Sequence, residues 1–231
     1  MRRRPNVDSD QPLPPGGTVT AIVASPRAPG RFTLIVDDKP AHTLGINEID
    51  CLGIFVGATT FGREAIIARE EAILRTYDRA VTMLAAHGRA AKDLERRLVR
   101  EGQPVEFARL AVERLSSEGF VDDMSFAKSF IRSKLFGAGF ARQRLQAELR
   151  RSGVSRIIVD DAIAEVFAQD GVDELIAATA LATRRMRMTA GGDDLATRRR
   201  VYGLLARRGF QRSVISAAIA EATRKTLDER A

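Results

Sequence analysis

The sequence predicts a mainly α-helical protein: three tandem three-helix modules in an elongated curved array, preceded by a small N-terminal β-hairpin-like extension. Three observations lead there. From Arg63 onward apolar residues recur at helical spacing, and glycines fall between the apolar blocks, not inside them. Before residue 40 the β-branched residues gather in two short runs, TVTAIVA and RFTLIV. Finally, one pattern of leucines, arginines and glycine recurs three times, the mark of a repeat architecture.

Taken in order, residues 1–17 (MRRRPNVDSDQPLPPGG) are rich in proline, glycine and charge and have little to bury, so a disordered tail is expected. Residues 18–60 form the β-rich extension. The runs TVTAIVA and RFTLIV flank the Pro/Gly loop SPRAPG, and Asp37–Asp38 turn the chain into a third short strand. Three short strands have too little area to be stable alone, so this sheet should pack on another element. INEIDCLGI reads as a short helix ending at Gly53, and FVGATTFG as a connector.

The repeat sets the rest, with modules expected over 61–120, 121–171 and 172–231. KDLERRLVREG ends at Gly102, QRLQAELRRSG at Gly153 and RRVYGLLARRG at Gly209. Eight and four positions before each glycine lie Leu94 and Leu98, Leu145 and Leu149, Val201 and Leu205, pairs that share one helix face. Basic residues fill each last turn, where they offset the negative end of the helix dipole, and glycine takes the site that tolerates positive φ. Five, nine and ten positions after the glycines a second amphipathic helix is marked by Phe107, Ala111, Val112, then Ile158, Ala162, Ile163, then Val214, Ala218, Ile219. A further helix precedes each pair, over about Glu64–Ala86, Asp122–Phe136 and Asp173–Met188.

Composition narrows the function. Among 231 residues there is one cysteine, Cys51, which suits a reducing cytoplasm. His42 and His87 stand far apart without a Cys or Glu cluster, so no metal site is expected. No apolar run reaches the roughly 18–20 residues of a membrane span, and the basic N-terminus lacks the apolar stretch of a secretory signal. There is no GxxxxGK[ST] loop, GxGxxG, HExxH or CxxC, which points to a binding protein with no cofactor and no catalytic residues. The net charge of +7 points to acidic partners. Residues 184–212 hold nine arginines against Asp193 and Asp194, an excess equal to the whole net charge.

Asp122 and Asp123 open the segment DDMSFAKSF and raise the question of catalysis. A catalytic or metal role needs further partners, and only Ser125 is at hand. A helix start needs nothing more: an aspartate caps orphan backbone N–H groups, and a carboxylate in the first turn complements the positive helix end. Phe126, Ala127, Phe130 and Ile131 follow as a stripe expected to face inward, and alanine at Phe126, Phe130, Leu145 or Leu149 is expected to cost about 2–5 kcal/mol.

These residues resemble the RecX family, regulators of the RecA recombinase. The resemblance is carried by FVDDMSFAKSFIRSKL and RQRLQAELRRSGV, with Asp122, Asp123, Phe126, Ala127, Phe130, Leu145, Glu148, Leu149 and Gly153 in the family's motif positions. YDRAVTMLAAHGRAAKDLERRL is similar to the family's opening helices, and the strand-rich extension to one carried by some members. Lys134 stands where members often have arginine, and FGAGFARQ is a longer link than usual. The resemblance implies a non-enzymatic, monomeric, cytoplasmic protein that binds the RecA–DNA filament and limits recombination, ATP hydrolysis and SOS co-protease activity. Its electrostatic surface is expected at Arg184, Arg185, Arg187, Arg198, Arg199, Arg200, Arg207 and Arg208, which could also meet single- or double-stranded DNA. The competing reading is a stand-alone basic DNA-binding protein built from helix-turn-helix-like units.

Overall fold

The computed structural model describes residues 16–26, 28–137, 139–188 and 195–228. Most of the expected tail, Arg27, Ala138 and the Asp193–Asp194 pair therefore lie outside the described residues. Contacts divide the chain at Val121/Asp122 into two compact units.

The first unit opens with β1 (Val19–Ala24), β2 (Arg31–Val36) and β3 (Lys39–Gly45), an antiparallel sheet in the order β1-β2-β3. Val36 pairs with Lys39 across a two-residue turn at Asp37 and Asp38, both at positive φ (46° and 62°), as a tight hairpin of matching twist requires. One face of the sheet buries Val19, Leu34, Val36 and Leu44 against Ile49, Ile54 and Ile67. Ile49 belongs to α1 (Ile46–Cys51) and Ile67 to α2 (Glu64–Ala86). The sheet is thus covered by helix, as its small area demands. Polar clamps reinforce the seam: His42 Nδ1 lies 2.9 Å from Glu71 Oε2, and Arg31 pairs with Asp78 of α2. Gly17, counted with the tail in the sequence, is tied in as well, with its N–H donating to Thr60 Oγ1 at 3.0 Å.

Helix α2 packs with α3 (Ala91–Arg100) and α4 (Val105–Ser117) around Ala80, Leu94, Leu98, Ala108, Val112, Leu115 and Val121. The second unit holds α5 (Asp123–Gly137), α6 (Arg142–Arg151) and α7 (Arg156–Gln169), then α8 (Glu174–Arg187), α9 (Leu195–Arg207) and α10 (Arg212–Asp228). In the last three helices Ala178, Ala182 and Met186 of α8 share a core with Val201, Leu205, Phe210, Ile215, Ala218 and Ala222. Alanine on both α8 and α10 lets these two backbones approach closely.

The three glycine-ended helices finish alike. Gly102, Gly153 and Gly209 have φ of 93°, 93° and 87°. Their N–H groups donate to the carbonyls of Val99, Arg150 and Ala206, and the next residues' N–H groups to Leu98, Leu149 and Leu205. This is one Schellman motif repeated three times, and it satisfies carbonyls that the helix end leaves orphaned. Each of the six repeat residues before the glycines is fully buried.

The following helix departs slightly from expectation. Its buried stripe runs at six, nine, ten and thirteen residues past the glycine: Ala108, Ala111, Val112, Leu115; Val159, Ala162, Ile163, Val166; and Ile215, Ala218, Ala222 with a half-buried Ile219. Phe107, Ile158 and Val214, expected to lead the stripe, are half-buried at its flank. The chain leaves the Schellman turn extended before the new helix begins, so the inward face starts one residue later.

Candidate functional site

Asp122 is the N-cap of α5. Its Oδ1 accepts the Met124 N–H at 2.8 Å and its Oδ2 the Ser125 hydroxyl at 2.6 Å. The Ser125 hydroxyl first, and then the backbone N–H groups of Ser125 and Met124, hold the Asp122 carboxyl below the usual aspartate range. Asp123 is the first residue of the helix, where its charge complements the dipole. Asp173 caps α8 in the same manner, accepting from Leu175 and Ile176 at 2.7 and 3.1 Å, and the Ser155 hydroxyl accepts from Ile158 to cap α7. Among the described residues no group of three His, Cys, Asp or Glu is placed to hold a metal ion.

Asp122→Ala should therefore cost roughly 0.5–2 kcal/mol at neutral pH, the usual worth of such a cap. The carboxylate's contribution is complete above the unfolded aspartate value of about 4 and is lost as pH falls through the lower folded value. Thermal melts of both proteins at neutral and acid pH measure this, and the gap between them should narrow on acidification. A gap independent of pH would remove charge from the cap's role.

The other motif residues serve packing. Ala127 and Ile131 are fully buried, as are Leu145 and Leu149. Glu148 pairs with Arg144 at 2.6 Å and Arg151 at 3.4 Å on the surface of α6. Phe126 and Phe130 are only half-buried, so the inward stripe predicted for α5 is narrower than expected. Their rings lie 6.1 Å apart, and the Lys134 ammonium sits 5.4 Å from the Phe130 centroid. Tilted ring pairs and cation–π contacts of this kind suit a partly wet helix face.

The arginines behave differently. A groove of about 500 Å3 runs between α8 and α9, lined by Arg184 and Arg185 from one wall and Arg199, Arg200, Arg207 and Arg208 from the other. Two helical faces make it. On α8 Leu181, Arg184 and Arg185, with Met188 just past its end, stand beside the buried Ala182 and Met186; on α9 Arg200, Gly203, Leu204 and Arg207, with Arg208 just past its end, flank the buried Val201 and Leu205. Both follow the spacing that brings side chains to one side of a helix.

Six of the eight predicted basic residues are thus brought together. Arg187 lines a neighbouring cleft with Arg184 and Lys225, and Arg198 a third with Ile219 and Thr223. Lys225 and the apolar groove residues Leu181, Met188 and Leu204 escaped the sequence reading, because nothing in their local spacing separates them from ordinary helix positions.

Many basic residues away from this groove are held in ion pairs. In the first unit Arg69 pairs with Glu106 at 2.6 Å, Arg109 with Glu113 at 2.7 Å and Arg89 with Asp93 at 2.9 Å, while Arg114 bridges Glu48 and Glu118. Glu118 also accepts the Tyr77 hydroxyl, whose pKa is pushed up to about 12 by burial and by that bond. In the second unit Lys128 reaches Glu165 at 2.7 Å and Arg132 reaches Asp170 at 3.2 Å. The groove's described lining has no acidic residue, and Arg184, Arg199, Arg200, Arg207 and Arg208 form no ion pair among the described residues. Arg184, Arg185, Arg187 and Arg207 occupy last turns, where cations complement the dipole. Arg199 and Arg200 lie in the first half of α9, where the dipole gives them no such support.

Comparison with known proteins places the chain. Residues 122–163 match the second three-helix domain of RecX and residues 173–219 the third. The regulatory protein RecX of Mycolicibacterium vanbaalenii is 33% identical over 138 residues, spanning 57% of this chain and 73% of that protein. That of Mycobacterium ulcerans is 34% identical over 134 residues, spanning 57% and 75%. A crystal structure of a regulatory protein RecX shares the fold at a TM-score of 0.73 and 22% identity, over 86% of this chain and 97% of that one. RecX from Lactobacillus salivarius does so at 0.56 and 17%, over 65% and 96%. With three-helix domains matched in α5–α7 and α8–α10 and relatives this similar over most of their length, the chain belongs to the RecX family of regulatory proteins.

Proposed function

We propose that this protein acts on the RecA recombinase by binding and not by catalysis. It engages the RecA–DNA filament, limits filament growth, and damps strand exchange, ATP hydrolysis and the co-protease activity of the SOS response. On this reading it works in the cytoplasm, as a monomer, in DNA repair and recombination. Family membership supports the partner. The observation that carries the mode of action is the groove of six arginines without a carboxylate in its described lining. A guanidinium keeps its charge at physiological pH and offers a planar fork that matches phosphate and carboxylate oxygens. The charge of Arg184, Arg199, Arg200, Arg207 and Arg208, which form no ion pair among the described residues, is available to the phosphates or acidic patches of a filament.

Titrating the protein into RecA-dependent ATP hydrolysis and strand exchange, from sub-stoichiometric to equimolar amounts, tests the reading. Inhibition is expected in that range, and its absence at moderate salt would overturn the proposal. The double variant Arg199→Glu, Arg200→Glu should need about tenfold more protein for the same inhibition, the equivalent of ~1.4 kcal/mol. Both side chains are exposed, so circular dichroism should be unchanged. Full inhibition by the variant would reduce these arginines to a solvated face.

The same groove also favours a second reading, direct DNA binding without the recombinase. A DNA-only control separates the two. Stand-alone binding should weaken with salt at a log–log slope of about −0.9 per phosphate contacted, and a curve flat in salt excludes it.

A further inference from the structure

Helix α6 begins in a way that its own residues do not support. Its N-cap is Ala141, which has no side-chain acceptor, and its first turn carries Arg142 and Arg144 but no acidic residue. Cations there face the positive end of the helix dipole. The equivalent helix of the first unit is built otherwise. α3 follows Ala90 in the same register, four residues before its first buried leucine, but has Asp93 where α6 has Arg144. The acid that α6 lacks comes from another helix: Glu174, the first residue of α8, accepts the Arg142 N–H on Oε1 at 2.8 Å. A carboxylate bound to a backbone N–H makes a charge-assisted bond, stronger than a neutral one. α8 does not depend on Glu174 for its own cap, because Asp173 accepts from Leu175 and Ile176.

This bond crosses between the two three-helix groups of the second unit. Among the described residues no helix of α5–α7 packs at length on a helix of α8–α10, so the contacts at the start of α6 carry unusual weight. There the Ala141 N–H donates to the Arg208 carbonyl at 2.9 Å, and Ala141 itself is buried in the core of α8–α10. We propose that Glu174 is a positioning residue: by capping α6 from the start of α8, it locks the third three-helix group onto the second. The lock fixes the arginine groove relative to the family-motif helices, because Arg208, whose carbonyl Ala141 holds, lines that groove. Its functional consequence rests on the filament reading. A filament that touches both groups binds more tightly when their placement is fixed beforehand, since less freedom is lost on binding.

Glu174→Asp in the full chain is the decisive variant. It keeps a carboxylate in the first turn of α8 but draws it back by one methylene from the Arg142 N–H. Amide hydrogen exchange should then accelerate at least about tenfold at Arg142 and also at Ala141, whose bond to Arg208 is not made by Glu174 itself. Ile163 and Ala182, buried in the separate groups, should keep their rates. Unchanged exchange at Ala141 overturns the proposal. So does equal acceleration at Ile163 and Ala182 with helicity intact, which would make Glu174 a contributor to overall stability only. Should the variant lose its helical spectrum, the milder Glu174→Gln, which weakens the bond by removing its charge, decides the question with a smaller acceleration at Ala141. In RecA-dependent ATP hydrolysis the Asp variant should need at least about threefold more protein for half-inhibition. Undiminished inhibition alongside faster Ala141 exchange would overturn the positioning role. If the unaltered protein does not inhibit at all, the filament reading fails, and the exchange rates alone decide whether Glu174 is the lock.

Discussion

Gly209→Ala should destabilise the second unit far more than Gly102→Ala destabilises the first, although both glycines end equivalent helices with the same turn. A methyl carbon on Gly209 would lie 2.6 Å from the backbone nitrogen and the Cβ of Arg144, and 3.1 Å from its Cα. At Gly102 the same carbon meets open space. The left-handed conformation alone costs an alanine roughly 1–2 kcal/mol at either site. Gly209 adds about 1–3 kcal/mol, because backbone has to move to admit the methyl group.

The site of that overlap is where the last two three-helix groups are clasped. The Ala141 N–H donates to the Arg208 carbonyl at 2.9 Å, the Arg142 N–H donates to Glu174 Oε1 at 2.8 Å, and Ala141 is buried in the core of α8–α10. A shift of Gly209 away from Arg144 therefore strains the first of these bonds and moves Arg208 at the rim of the groove. Gly209→Ala should lower both the melting temperature and the inhibition of RecA, whereas Gly102→Ala should lower stability modestly and leave inhibition alone. Equal thermal losses for the two variants would mean that contact with Arg144 is not what demands glycine.

The second large effect is expected inside the central helices. Leu149 is fully buried, accepts the Schellman bond through its carbonyl, and sits one turn beyond the equally buried Leu145. Leu149→Ala should cost about 2–5 kcal/mol, since it removes fully buried apolar surface and leaves a cavity that the surrounding core closes only in part. Phe126 carries the more prominent motif position but is half-buried against Phe130. Its truncation removes less surface from solvent contact, and the remaining side chains can close over the gap. A loss of about 1–2 kcal/mol is expected there. Chemical denaturation of the two variants ranks them, and a Phe126→Ala loss equal to that of Leu149→Ala would contradict the half-buried packing of α5.

Much of this protein is legible in its sequence because the relevant physics is local. Leu94/Leu98, Leu145/Leu149 and Val201/Leu205 lie on one turn of helix before their glycines, so spacing alone places them inside. Asp122 and Asp173 cap helices through backbone groups two and three residues away. Asp37 and Asp38 turn a hairpin between strands that adjoin them. Each of these is decided within about ten residues of chain, and the sequence by itself determined them, together with the three-fold helical repeat.

What only the tertiary structure decided depends on how helices distant in sequence are rotated against one another. The run of arginines announces positive charge, but the packing of α8 on α9 separates the six that share a groove from Arg187 and Arg198, which line other clefts. Likewise, three glycines with one local geometry become unequal only because Arg144 of α6 approaches Gly209. Phe126 and Phe130 turn half toward solvent because Ala127 and Ile131 occupy the centre of the buried face. Periodicity records which residues can share a face; which neighbour meets that face, and how closely, is a property of contacts between segments that no local pattern contains.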